Sequence, residues 1–456
     1  MPLGLVCHAA RLPELGAGER DAFLLFDVNG RWAGPAYGPG TEARAPLCLA
    51  IAIDASSSMR GGRFALALQA TRNVLASLGP QDRVAVITFD RDARVAVPPA
   101  PFDAAGAETA RRALDRLTTG IGTNLGAGWR EASEAVLRVV LPNAVRRVLL
   151  LTDGYPSRGE TQRDALRARV MEGHARGVET SIVGLGDGID DGLCVALAEA
   201  GEGRFHYLRE ESALAEIVTA EVEGARALVA TDVSLDVQLT PRVGRAEVLH
   251  RYPCKPGDRS LDVRIGSVAR DAARSVLLSV SLKDGTPDAM LGFATARGRA
   301  VRPAAAKATA PGYGHDYANV KASIAELDDL EDSARVTLLL PPGVGPEVSR
   351  RRVALELLVQ RTLAEVRAAW DGLDRGDRDA VTRRLERARG LRRLFTERGL
   401  VRDDELLHMP NVDAVERAMF SASDESKEAR RRFSSWAHNT QLSFIGVIPD
   451  PRKRER

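Results

Sequence analysis

Two stretches of the chain carry an apolar run straight into an acid. The first, LCLAIAIDASSSMRGG from Leu47 to Gly62, places Asp54, Ser56 and Ser58 close together. The second, RRVLLLTDG from Arg146 to Gly154, ends on Asp153. Between them, TTGIGTNLGAG offers Thr123 just ahead of a helical pattern. Two carboxylates and three hydroxyls are hard oxygen donors. That set suits Mg²⁺, with Mn²⁺ or Ca²⁺ as substitutes. Two negative charges balance a divalent ion, and neutral hydroxyls add little electron density to it. The ion would remain a strong Lewis acid with affinity for an outside carboxylate, such as an Asp or Glu of another protein.

These residues can meet only if the elements that carry them lie side by side. From Pro46 to about Ala227, strand and helix patterns alternate. LCLAIAI, RVAVITF, RRVLLLT and VETSIVGLG are strand-like apolar runs, as expected where both faces of a sheet are covered. Between them lie helical spacings such as Phe64, Leu68, Thr71, Val74 and Leu75. The alternation predicts a doubly wound, mostly parallel sheet of Rossmann-like α/β type, which binds ligands beyond the carboxyl ends of its strands. Asp54, Ser56, Ser58, Thr123 and Asp153 then share one rim.

The flanks have a different period. VSLDVQL, LDVRI and VLLSVSL alternate apolar and polar residues, the pattern of half-exposed antiparallel strands; LGLVCHAARL and DAFLLFDV near the start read the same way. We expect N-terminal strands in 1–45, the α/β unit in 46–228 and the remaining strands in 229–301, so that the α/β unit is inserted in a small antiparallel β-sandwich. RPAAAKATAPGYGHD, about 302–316, reads as a linker. A helical region over 317–420 follows, with a C-terminal α-helical hairpin turning at DRGD, Asp374–Asp377. The polar tail, 421–456, is expected to be partly mobile.

DASSS fits the D-x-S-x-S pattern of von Willebrand factor type A domains, and GIGTNLGAG and LLTDG resemble that family's other two loops. The resemblance covers roughly residues 46 to 227. It implies a metal-ion-dependent adhesion site in which Ser56, Ser58 and Thr123 are near ligands, while Asp54 and Asp153 bind directly or through water. Two departures are small: Ser57 stands where Gly is frequent, and Ile121 separates two glycines that are more often adjacent. By layout, the flanks are similar to intracellular bacterial proteins of this family. Those are associated with signalling, defence and AAA-ATPase assemblies. The function implied is a non-catalytic binding or scaffold protein that uses a Mg²⁺-loaded site to grip an acidic side chain of a protein partner.

Composition fits that reading. Apolar residues at 44% and charged ones at 28% are ordinary for a globular chain, and a net charge of +2 gives no bulk attraction to nucleic acid. The four cysteines, Cys7, Cys48, Cys194 and Cys254, are far apart and read as reduced thiols. Neither a membrane span nor a signal peptide is recognisable, so a cytoplasmic location is expected. A metal-dependent hydrolase using the same site is one alternative, but none of the seven histidines lies in the three loops to serve as a base. A nucleic-acid scaffold is another, through RRLERARGLRR, Arg383–Arg393. A solvated helix face, with Leu385, Ala388 and Leu391 turned inward, is the simpler account of that run.

Overall fold

The computed structural model describes residues 3–15, 21–30, 45–101, 104–141, 144–209, 213–283, 289–301, 331–340, 346–409, 411–420 and 423–442. Strands β1 (Leu3–Ala10) and β2 (Asp21–Gly30) come first. The α/β unit follows. Its strands are β3 (Leu47–Asp54), β4 (Arg83–Phe89), β5 (Ala93–Pro101), β6 (Val145–Thr152), β7 (Val178–Leu185) and β8 (Glu202–Leu208). Its helices are α1 (Gly62–Ser77), α2 (Ala104–Asp115), α3 (Leu125–Leu137), α4 (Arg163–Ala175), α5 (Asp191–Ala200) and α6 (Leu214–Arg226).

The six strands form one sheet in the order β5-β4-β3-β6-β7-β8. All neighbours run parallel except β4 and the edge strand β5. β3 shows why its sequence is a continuous apolar run. Leu47, Leu49, Ile51 and Ile53 face α1 and α6, and Cys48, Ala50 and Ala52 face α3, α4 and α5. From β3 the chain first builds outward through β4 and β5, then returns to add β6 on the other side of β3. That reversal opens a crevice between the carboxyl ends of β3 and β6, the place where such sheets take ligands.

The chain then supplies β9 (Leu228–Leu239), β10 (Val243–Val248), β11 (Cys254–Pro256), β12 (Ser260–Ala269), β13 (Ala273–Leu282), β14 (Ala289–Ala300) and β15 (Glu331–Leu340). Two antiparallel sheets, β1-β2-β13-β10 and β11-β12-β9-β14-β15, enclose a core of Leu24, Phe26, Val28, Val233, Leu235 and Leu278 among others. The α/β unit is thus inserted between β2 and β9 of a sandwich, as the change of period implied. Four helices complete the described chain: α7 (Glu347–Asp374), α8 (Arg378–Glu397), α9 (Val412–Met419) and α10 (Ser423–Leu442). α7 and α8 form the hairpin, and Asp377 caps α8 by accepting from the Ala380 amide at 2.9 Å. No described helix is long and apolar enough to cross a membrane.

Two expectations change. DAFLLFDV is not half-exposed: Phe23, Leu25 and Leu277 on the outer face of the first sheet pack under α7 and its neighbours, so β2 is buried on both sides. The region 317–420 is not helical throughout, because β15 pairs with β14 as a sandwich strand. The linker at 302–316 lies outside the described residues. The tail contains α10, whose polar residues are spent on edge strand β8. Ser435 Oγ and Asn439 Nδ2 each donate to the Phe205 carbonyl at 2.8 Å, and His438 Nε2 lies 3.0 Å from the Gly203 carbonyl. A polar sequence there reflects main-chain pairing at a sheet edge.

The arginine-rich run forms α8 with Leu385 and Ala388 buried and Leu391 partly so. Arg384 pairs with Glu365, and Arg389 with Asp413 and Glu416. The cysteines are free thiols, with Cys48 and Cys194 buried.

Candidate metal centre

β3 ends on Asp54 and β6 ends one residue before Asp153, and the two strands are hydrogen-bonded neighbours. Both acids are almost completely buried, as are Ser56 and Thr123, while Ser58 is exposed. The Ser56 and Ser58 hydroxyls lie 2.9 Å apart, and Ser58 Oγ donates to Asp153 Oδ1 at 2.6 Å. Asp54 Oδ1 accepts from the Ser56 amide at 2.9 Å, which folds the serine loop back over the strand end.

Thr123 reaches the same point from the third loop. A Cβ added to Gly154 would lie 3.9 Å from Ser58 Oγ and 4.0 Å from Thr123 Oγ1, so both hydroxyls border that glycine. The Thr123 loop is pinned on each side. Gly120 N donates to the Ala55 carbonyl at 2.6 Å, Asn124 N donates to the Asp90 carbonyl at 2.7 Å, and Thr123 N donates to Ser157 Oγ at 3.1 Å. Gly120 is required there, since a Cβ would fall 1.9 Å from an Asp90 carboxylate oxygen. Asn124 then caps α3 by accepting from the Ala127 amide. All five residues singled out from sequence therefore meet at one rim.

Two further residues complete the site. Thr152 Oγ1 donates to Asp54 Oδ2 at 2.7 Å, and Arg63 of α1 pairs with Asp153 Oδ2 at 2.9 Å. Thr152 was visible in LLTDG, but only the register of β3 against β6 reveals its partner. Nothing in the spacing of Arg63 points to the rim; α1 must start where it does for the side chain to return.

The electrostatics are unbalanced. Burial pushes the Asp54 carboxyl up to about 6, against hydrogen bonds from Ser56 and Thr152 that favour the ionised form, and the nearby Asp153 charge adds to the rise. Asp54 is held by the Ser56 amide and the Thr152 hydroxyl, both neutral donors, and Arg63 serves Asp153. A hard divalent ion would supply the missing charge, and the five oxygen donors match the chemistry of such an ion. The donor set fits a metal on these grounds. No group of three or more His, Cys, Asp or Glu suited to a metal occurs among the described residues, so a site of this kind depends on its hydroxyls.

Three described histidines are engaged elsewhere. His174 lies 3.2 Å from Glu202, His206 lies 2.8 Å from Glu221 and His250 lies 3.0 Å from Glu356.

Residues 49–220 match the family model of the von Willebrand factor type A domain. The chain carries a von Willebrand factor type A domain. The Escherichia coli protein YfbK is 27% identical over 197 residues, covering 42% of this chain and 34% of YfbK. The Synechocystis protein sll0103 is 26% identical over 259 residues, covering 54% of this chain and 60% of its own length. The chain thus spans about a third to three fifths of these relatives. A solved structure described as von Willebrand factor type A from Catenulispora acidiphila superimposes with a TM-score of 0.66, covering 98% of each chain at 17% identity. The type A domain, its host sandwich and the helical layer therefore recur together as one fold.

Proposed function

We propose that the type A domain is a metal-dependent capture site for an acidic side chain of a protein partner. Asp54, Ser56, Ser58, Thr123 and Asp153 would hold Mg²⁺, or Mn²⁺ or Ca²⁺ in its place. The bound ion would supply a Lewis-acidic centre that accepts an outside carboxylate. Asp54 and Asp153 provide the charge, and Thr152 and the Ser56 amide orient Asp54. Arg63 orients Asp153 and adds positive potential at the rim. The observation that carries the reading is Asp54 itself, a fully buried carboxylate beside a second acid, held by donors that favour its ionised form.

The reading is non-catalytic. Among the described residues, no histidine hydrogen-bonds to the rim to act as a base there. Membership of a bacterial multi-protein assembly in the cytoplasm belongs to the same proposal. The sandwich and helices would present the rim to that assembly.

The test is capture from a lysate of the native organism on immobilised protein. Capture is expected to vanish with EDTA, to return with Mg²⁺, and to be absent for Thr123→Ala. Capture that is indifferent to chelator would overturn the proposal. Turnover of phosphate esters or peptides that stops on Asp54→Asn would replace it with a hydrolase.

A further inference from the structure

Two large apolar side chains stand in solvent on the metal rim. Ile121 is 74% exposed and Tyr155 is 57% exposed. Ile121 precedes Thr123 by two residues, and Tyr155 follows Asp153 by two, so two of the three rim loops each offer one. Scattered apolar residues at a surface need no explanation. These two sit on adjoining loops: Gly154, which leads into Tyr155, borders the Thr123 hydroxyl.

Neither side chain is needed for the fold. Both are absent from the four apolar cores. The loop around Ile121 is fixed by main-chain bonds at Gly120 and Asn124 and by the positive φ of 85° at Gly122. The Tyr155 loop is fixed by Ser157 and Arg158, whose amides both donate to the Thr123 carbonyl. Arg60 and Arg158 are exposed beside the rim and Arg63 lies at Asp153, while the adjoining β4–β5 loop exposes one charge of each sign, Arg91 and Asp92. Asp187, the exposed acid of the neighbouring β7–α5 loop, is held by Arg431 of α10.

We propose that Ile121 and Tyr155 form an apolar collar that selects, in a protein partner, an acidic residue flanked by bulky apolar ones. This rests on the capture reading above and names the partner sequence that the site fits. The acid supplies the oxygen ligand and complements the arginines. Its neighbours cover the isoleucine and the tyrosine, and an exposed aromatic beside a desolvated polar contact is a frequent binding hot spot.

Two fluorescent peptides test it with the full chain in Mn²⁺. One carries Leu-Asp-Phe between glycines and serines, and the other carries Ser-Asp-Ser in the same frame. The apolar-flanked peptide is expected to bind about tenfold tighter or more. The double variant Ile121→Ser/Tyr155→Ser should lose that preference while its Mn²⁺ uptake and melting temperature stay unchanged. Equal affinity for the two peptides, or no binding of either by Mn²⁺-loaded protein, overturns the collar. Dimerisation on adding Mn²⁺ that the double variant abolishes would assign the patch to a second copy of this chain, and also overturns it. Failure of the unaltered protein to take up Mn²⁺ would instead overturn the metal-centre reading beneath it.

Discussion

Near each end of its sheet the type A domain buries a pair of carboxylates that share neighbours, and the two pairs are balanced differently. At the amino ends of the strands, Glu179 and Glu221 share the buried Arg147; His206 bonds Glu221 at 2.8 Å and Arg204 lies 3.9 Å from it. Burial alone would raise the Glu221 carboxyl, but His206, Arg147 and Arg204 hold it well below the ordinary carboxylate range. Ser267 of the sandwich donates to Glu179, so this network also ties the inserted domain to its host. At the carboxyl ends, Asp54 and Asp153 have hydroxyls and one arginine, and Asp54 is pushed the opposite way. A chain that can compensate buried acids internally at one end has not done so at the other. On the proposed reading, one end is structural and the other takes a cation from outside.

The contrast can be broken most strongly at the compensated end. Arg147→Ala leaves two buried acids without the arginine they share and should cost about 3–5 kcal/mol in chemical denaturation. The double change Arg147→Met/Glu221→Gln should cost clearly less, because it removes charges of both signs. The pH dependence follows from the direction of the Glu221 shift. A depressed carboxyl stabilises the fold at pH values above its ordinary 4.5, and that stabilisation drains away as pH falls below it. The stability gap between the unaltered protein and Glu221→Gln should therefore be full at pH 7 and shrink steadily below about pH 4.5.

At the other end the sign reverses. A carboxyl raised from 3.8 to about 6 favours the folded state at low pH and loses that advantage as pH climbs through this window. In chelator at pH 7, Asp54→Asn should stabilise the protein, by something on the order of 1–3 kcal/mol. A loss comparable to that of Arg147→Ala would erase the distinction between the two ends. The smallest effect is at Arg63, whose side chain is one-third exposed. Arg63→Gln removes a competing cation from Asp153 and should tighten Mn²⁺ binding by about 0.2–1 kcal/mol, measured by titration calorimetry.

The sequence made the rim legible because strand ends are simple to read. LCLAIAID is apolar on both faces, so its first acid marks the end of the strand, and the same holds for LLLTD. What surrounds the rim was harder. Arg63 joins Asp153 only through the pitch and start of α1, and Thr152 meets Asp54 only through inter-strand register. Ile121 reads as a small departure within a glycine loop until its exposure is known. Away from the site, β2 was misjudged because its second cover, the helical layer, comes from more than 300 residues later. α10 was not legible, because its serine, histidine and asparagine bond to a sheet edge, and composition reports polarity without saying what satisfies it.

The central claim is that the missing positive charge at Asp54 and Asp153 comes from a divalent ion. Titration calorimetry with Mg²⁺ and Mn²⁺ tests it directly on the chelator-stripped chain and on Asp54→Asn. The account predicts saturable uptake of one ion per chain by the former and none by the latter. No uptake by the unaltered chain, or equal uptake by both, would contradict it.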